Sequence, residues 1–151
     1  MVRRAEPSDL DPVTRLIAEF RDWWGKTEPS TDAIRGVVRR LLDDDETEFL
    51  LALDDSGDAV GVCQLRYRLS VWTGADDCWL EDLYVTEAAR RGGHGRELVE
   101  AAFAAARARG CRRIELDVNE QNQSALRFYD SLGFTTEPKP PGRTLFISRR
   151  L

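Results

Sequence analysis

The chain has 151 residues, with 22 Lys and Arg against 27 Asp and Glu, a net charge of -5 and 42% hydrophobic residues. At this length one domain, taken here as residues 1–151, buries roughly 70% of its unfolded surface, so a core forms without staples; Cys63, Cys78 and Cys111 offer no Cys-x-x-Cys pair for a disulfide framework or zinc site. The acidic total disfavours nucleic acid as a partner, and no apolar run approaches the roughly 18 residues of a membrane span or the core of a signal peptide, which predicts a cytoplasmic protein.

Val2 to Ala5 reads as a short strand, and Asp11-Pro12 as the cap and first position of a helix whose Val13, Leu16, Ile17, Phe20 and Trp24 form one apolar stripe. A second helix starts near Ser30 and Thr31, with Ile34, Val37, Val38, Leu41 and Leu42 on one face, and ends in the acidic run Asp43 to Glu46. Phe49 to Leu53 is a strand. The turn Asp54 to Asp58 leads into a second, in which Cys63, Leu65, Tyr67, Leu69 and Val71 alternate with Gln64, Arg66 and Arg68. Trp79 to Val85 is the next strand. The turn Arg91-Gly92-Gly93-His94-Gly95 then opens a helix with Leu98, Val99, Ala102, Phe103 and Ala106 in a stripe, stopping at Gly110. Ile114 to Val118 is a strand and Asn122 to Leu132 a helix ending at Gly133. Two last strands, near Phe134 and at Thr144 to Ser148, flank the loop Pro138 to Gly142. The order is that of a mixed sheet with helices on its faces.

Charge is not evenly spread. Residues 1–82 hold 10 basic and 19 acidic side chains, net -9, and residues 83–151 hold 12 basic and 8 acidic, net +4. The boundary falls where the chemistry concentrates: Leu80-Glu81-Asp82-Leu83-Tyr84-Val85, then Arg90 to Gly95, then a helix. Glycines bring successive N–H groups close to an anion, and the helix start adds unpaired donors and the positive end of its dipole. With Arg90, Arg91 and Arg96 around it, the turn suits a pyrophosphate. Gly95-Arg96-Glu97 lacks the Lys-[Ser/Thr] of a nucleoside triphosphate loop, and the turn has neither the place nor the spacing of a dinucleotide fingerprint.

Arg90-Arg91-Gly92-Gly93-His94-Gly95 resembles the [Gln/Arg]-x-x-Gly-x-[Gly/Ala] motif of the GNAT superfamily of acetyl-CoA-dependent N-acetyltransferases. Asn122-Gln123-Ser124-Ala125 through Phe128-Tyr129 to Gly133-Phe134 resembles that family's second signature. The resemblance implies an α/β, mixed α+β fold: a mostly antiparallel central sheet of about seven strands, flanked by four helices and splayed at the acetyl-CoA site. It also implies that Arg90, Arg91, Gly92, Gly93, His94, Gly95 and Arg96 hold the coenzyme's pyrophosphate, mainly through backbone N–H groups, and that the edge Leu83, Tyr84, Val85 pairs with the pantetheine arm. Asn122 is then expected beside that arm and Tyr129 near the thioester sulfur. No metal is implied, and a homodimer would be in keeping with the family.

Acetyl transfer to an amine requires deprotonating the amine, holding an oxyanion and protonating a thiolate. Tyr129 is the candidate acid, although it also shares a helix face with Ala125, Phe128 and Leu132 and reads on spacing alone as a core aromatic. Glu81 is the candidate base and Asp82 the amine-binding group. Successive strand residues face opposite sides, so only one of them faces the acceptor unless a bulge intervenes. Leu-Glu-Asp-Leu is similar to the segment in polyamine- and aminoglycoside-type members, where such acids contact the amine. A backbone N–H near Tyr84 or Val85 is the candidate oxyanion donor. Trp24, with Trp23 and Trp72, is a candidate acceptor wall, core packing being the competing reading for Trp24. His94 contributes backbone, its imidazole being read as incidental. The expected acceptor is a small cationic amine. A protein N-terminal or lysine acetyltransferase and a non-catalytic acyl-CoA sensor are the alternatives.

Overall fold

The computed structural model describes residues 1–135 and 147–149. The chain divides into two compact units, Met1–Asp117 and Val118–Leu151. In the first, strand β1 (Val2–Arg4) precedes helices α1 (Leu10–Trp23) and α2 (Thr31–Leu42); strands β2 (Thr47–Leu53), β3 (Ala59–Ser70) and β4 (Ala75–Val85) follow, then α3 (His94–Ala108) and β5 (Arg113–Glu115). The sheet order is β1-β2-β3-β4-β5, antiparallel except for the parallel β4-β5 pair that α3 connects. The second unit holds α4 (Gln123–Asp130). The mixed α/β class is as expected, with five strands among the described residues rather than about seven. Phe134 lies outside any strand, and the loop 138–142 and residues 144–146 of the last expected strand lie outside the described residues.

Both faces of the sheet are covered, which is why β3 does not alternate as its sequence suggests. Val62 joins Phe49, Leu51 and Tyr84 in a core closed by Val13 and Leu16 of α1 and by Ile34 and Val38 of α2. Cys63 and Leu65 are also fully buried, on the opposite face of their strand, and Leu98, Val99 and Ala102 of α3 are likewise shielded from water. At Gly61 of β3 a Cβ would lie 3.1 Å from Leu98 Cδ1 and 3.2 Å from Tyr84 O, so the absence of a side chain there favours the close approach of α3.

Three local readings change. Helix α1 begins at Leu10, two residues before the expected Pro12, with Asp9 as its N-cap position; the Asp9 side chain is spent on Glu6 N–H at 2.8 Å and on Arg3, through both oxygens, at 2.7 Å. Val37 is 53% exposed, outside the buried stripe of α2. Leu69 and Val71 are exposed because β2 reaches only Arg66, leaving the β3-β4 hairpin beyond the sheet. Helix α2 begins at Thr31 as expected, and Ser30 caps it, its hydroxyl accepting from Ala33 N–H.

The short β4-β5 pair is held by charge. Arg113 Nη2 donates to Asp77 Oδ2 at 2.5 Å, and Thr73 Oγ1 lies 3.1 Å from Asp77 Oδ1. Arg113, opposing the burial of Asp77, holds that carboxyl below the usual carboxylate range. Replacing Arg113 by Ala strands the carboxylate, which is 1% exposed. The expected cost is about 2 kcal/mol, below that of a fully buried pair because the guanidinium is partly hydrated. Since the folded pKa is depressed, this contribution is present above the ordinary carboxylate pKa and lost as pH falls through the folded value. Urea denaturation of wild type and Arg113→Ala should therefore differ at pH 7 and converge in acid.

Candidate functional site

The parallel pairing with β5 covers only Asp77, Cys78 and Trp79, while β4 runs on to Val85. Among the described residues no strand pairs with 80–85 on this side, which leaves them as an open edge. Thr86 N–H bonds to Val60 O at 2.9 Å, which fixes the alternation: Asp82 and Tyr84 direct their backbone groups to β3, and Leu83 and Val85 direct theirs to the open side. Of the two candidate oxyanion donors, Val85 N–H is the one that faces this edge.

Next to it the ladder is interrupted. Gln64 pairs with Asp82 and Leu65 with Leu80, which leaves Glu81 as an extra residue in β4. This is the bulge on which the expectation for the two acids turned. Asp82 lies opposite Gln64, which is 6% exposed, and Glu81 is exposed. Burial, with added repulsion from Glu81 and Asp117, pushes the Asp82 carboxyl up to about 6. Among the described residues no cation pairs with Asp82. Asp117 was not singled out from sequence, since only the fold brings its charge within reach of β4.

Beyond Val85 the chain makes a single turn, Glu87–Ala89, and passes through Arg90 in an extended conformation. Arg91 (φ 69°) and Gly93 (φ 86°) are left-handed. The second is freely available only to glycine; the first places a non-glycine residue in a strained region that tends to persist at functional sites. Gly93 is the N-cap of α3 and supplies no side chain to its first turn. Among the described residues, the N–H groups of His94 and Gly95 have no acceptor. Arg91 and Arg96 are exposed around them. At Gly92 a Cβ would come within 3.2 Å of Ala89 O and 3.3 Å of the His94 ring, so backbone and ring pack closely there. His94 is thus the first helical residue rather than a loop residue, with its Nδ1 buried, unpartnered and 4.0 Å from Glu97 Oε2. Free donors at a helix start, beside an open strand edge, fit an anion carried on an extended arm.

The C-terminal end of α1 carries aromatics that do not enter the core. Trp23 is 50% and Trp24 55% exposed, so the core reading of Trp24 is corrected: the helix ends at Trp23, and Trp24 is its cap. Phe20 packs tilted against Trp24 at 4.9 Å and stacks on Tyr84 at 5.3 Å between ring centres, and Lys26 lies 4.6 Å over Trp24. Phe20 was legible only as a stripe residue. Trp72 is 91% exposed on the β3-β4 turn.

In the second unit, Asn122 is the N-cap of α4, its side-chain oxygen accepting from Ala125 N–H at 3.1 Å. Asn122 thus has a helix-capping role that its motif position does not announce. Tyr129 is partly exposed and packs edge-on against Phe128 (5.2 Å) and Phe134 (5.5 Å).

Residues 13–134 match the model of the acetyltransferase (GNAT) family. The chain is 27% identical to D-amino-acid N-acetyltransferase HPA3 of Saccharomyces cerevisiae, over 91% of its own length and 86% of that protein's. It is 30% identical to thialysine N-epsilon-acetyltransferase of Bos taurus, over 88% and 82%. The fold superposes with a TM-score of 0.81 on aminoglycoside N-acetyltransferase AAC(6')-Iy in complex with a bisubstrate analogue, at 23% identity and over 100% and 98% of the two chains. The chain belongs to the GNAT acetyltransferase family, and it is an N-acetyltransferase for which the family implies acetyl-CoA as donor.

Proposed function

We propose that the enzyme transfers acetyl from acetyl-CoA to a primary amine of a small cationic acceptor, by direct attack with both substrates bound. The observation that carries this reading is Asp82: a largely buried carboxylate, raised to about 6, with no cation among the described residues to compensate it. Such a group gains most from an ammonium ion, and the bulge brings a second carboxylate beside it. Two relatives whose names specify D-amino acids and thialysine, both small amines, support the same class of acceptor.

Asp82 binds the ammonium and Glu81, exposed to water, takes its proton directly or through one water. Trp24, with Trp23, forms an aromatic wall against the acceptor's cationic or alkyl parts. Val85 N–H stabilises the developing oxyanion, while the outward backbone groups of Leu83 and Val85 align the pantetheine arm; Tyr84, expected to share this pairing, is spent on β3. Arg91, Gly92, Gly93, His94, Gly95 and Arg96 hold the pyrophosphate, with Arg90, whose side chain is turned to Val85 O, leading into the turn. When bound, acetyl-CoA supplies the activated acyl group. Tyr129 protonates the departing thiolate, and Asn122 steadies the arm through its amide while capping α4.

Thiol release from acetyl-CoA across a panel of polyamines, aminoglycosides, D-amino acids, thialysine and a peptide N-terminus tests the proposal. Turnover on a small amine supports it. Turnover on the peptide alone overturns the acceptor class, and tight CoA binding without turnover on any amine overturns catalysis in favour of a sensor. Tyr129→Phe is expected to lower kcat about 10- to 100-fold with the KM for the amine unchanged, as for loss of a positioned acid. Full turnover of that variant would remove Tyr129 from the chemistry.

A further inference from the structure

The aromatic end of α1 and the glycine turn belong to different halves of the proposed site, one facing the amine and the other the coenzyme, yet one side chain touches both. Arg90 donates from Nε to Val85 O at 3.2 Å. Its Cζ lies 5.1 Å from the Trp23 ring centre and 5.8 Å from that of Tyr84. Phe20 backs both rings, 6.2 Å from Trp23 and 5.3 Å from Tyr84. A guanidinium is planar, stacks on aromatic faces and donates in a fixed fork, so these contacts restrict its orientation far more than solvent would.

Arg90 is also the last residue before the left-handed Arg91, where the chain turns toward the free N–H groups of His94 and Gly95. The carbonyl it binds is the final acceptor on the open edge of β4. The side chain therefore fixes the end of the edge and the entrance to the turn at once, and its anchor is on α1.

We infer that Arg90 is a positioning residue that couples the aromatic end of α1 to the coenzyme turn, with Trp23 holding the guanidinium. A residue on the amine side thereby sets affinity on the coenzyme side, and an amine that engages Trp23 changes how tightly the coenzyme is held. The inference rests on the reading that the glycine turn binds the CoA pyrophosphate.

Titration calorimetry with CoA alone, on the full chain with no amine present, tests it in a double-mutant cycle. Trp23→Ala is expected to weaken CoA binding about two- to fivefold, the worth of an exposed cation–π contact. Arg90→Ala is expected to weaken it at least as much, and the double variant no further than Arg90→Ala alone. Trp23→Phe, which keeps a π face, should restore most of the affinity. Trp23 is half-exposed, so these variants should keep the wild-type melting temperature, measured in parallel. An unchanged CoA affinity in Trp23→Ala, an equal loss in the Arg90→Ala background, or no rescue by phenylalanine would each overturn the coupling. A wild-type chain that bound no CoA would instead overturn the reading of the turn itself.

Discussion

Replacing Glu81 by glutamine is expected to lower kcat with the preferred amine about 100-fold at pH 7 and to leave the KM for acetyl-CoA unchanged. A general base contributes on the order of 10²- to 10⁴-fold, and glutamine keeps the shape while removing the basic site. The pH profile separates loss of a base from loss of structure. As pH rises toward the pKa of the amine, near 10, the acceptor sheds its own proton and the deficit of Glu81→Gln should shrink. A deficit constant from pH 6 to 9.5 would instead mean that Glu81 orients the acceptor. Because Glu81 is the extra residue of the bulge, its side chain is not locked into a cross-strand pair, and a polar substitution there should leave the fold intact.

Asp82→Asn has the other large expected effect, and it divides between function and stability. If Asp82 binds the ammonium, its loss should raise the KM for the amine roughly 10- to 100-fold with a smaller change in kcat, as for an interaction made equally in ground and transition states. In the wild type, amine affinity should fall as pH drops through about 6, where Asp82 becomes protonated in the free enzyme. The sign for stability is opposite to that of Asp77. The folded pKa of Asp82 is raised, so the folded chain holds a proton that an unfolded aspartate has already lost. That contribution is complete below the unfolded pKa, near 4, and is lost as pH rises through about 6. At pH 8 the charge costs roughly 1–3 kcal/mol, and Asp82→Asn should raise the melting temperature by several degrees, a difference that disappears near pH 4. A variant that melted lower than wild type at pH 8 would contradict the burial of an uncompensated charge.

Much of this was legible in the sequence because it is written in local chemistry. Turn glycines, the helix start near Ser30 and Thr31 and the 3.6-residue stripes of α1 and α3 set the element order through α4. The glycine turn was legible because Gly93 takes a left-handed backbone and a Cβ at Gly92 would crowd Ala89 O and the His94 ring. Strand faces were harder to read. Alternation along β3 assumed one wet side, whereas α1 and α2 cover one face and α3 the other, so Cys63, Gln64 and Leu65 are all buried. The parity of Glu81 and Asp82 was legible only up to the condition of a bulge, since the extra residue is defined by the register against β3 rather than by β4 itself. Asp117 and the stacking of Phe20 on Tyr84 depend on packing between elements distant in sequence, for which no spacing rule exists. Trp24 followed the period of its stripe, but the helix stopped one residue short of it.

The open edge of β4 has a further consequence for how the chain behaves in crowded solution. A row of unpaired backbone groups on a sheet is a template for a strand of another molecule, and natural sheets guard such edges with charge. Here the guard and the proposed chemistry are the same residues. Glu81 and Asp82 place two negative charges where an incoming strand would have to dock, and the Arg90 side chain occupies the Val85 carbonyl at the far end. Neutralising both acids would thus give a chain that resists heat better as a monomer and resists self-association less, so that thermal stability and colloidal stability move in opposite directions.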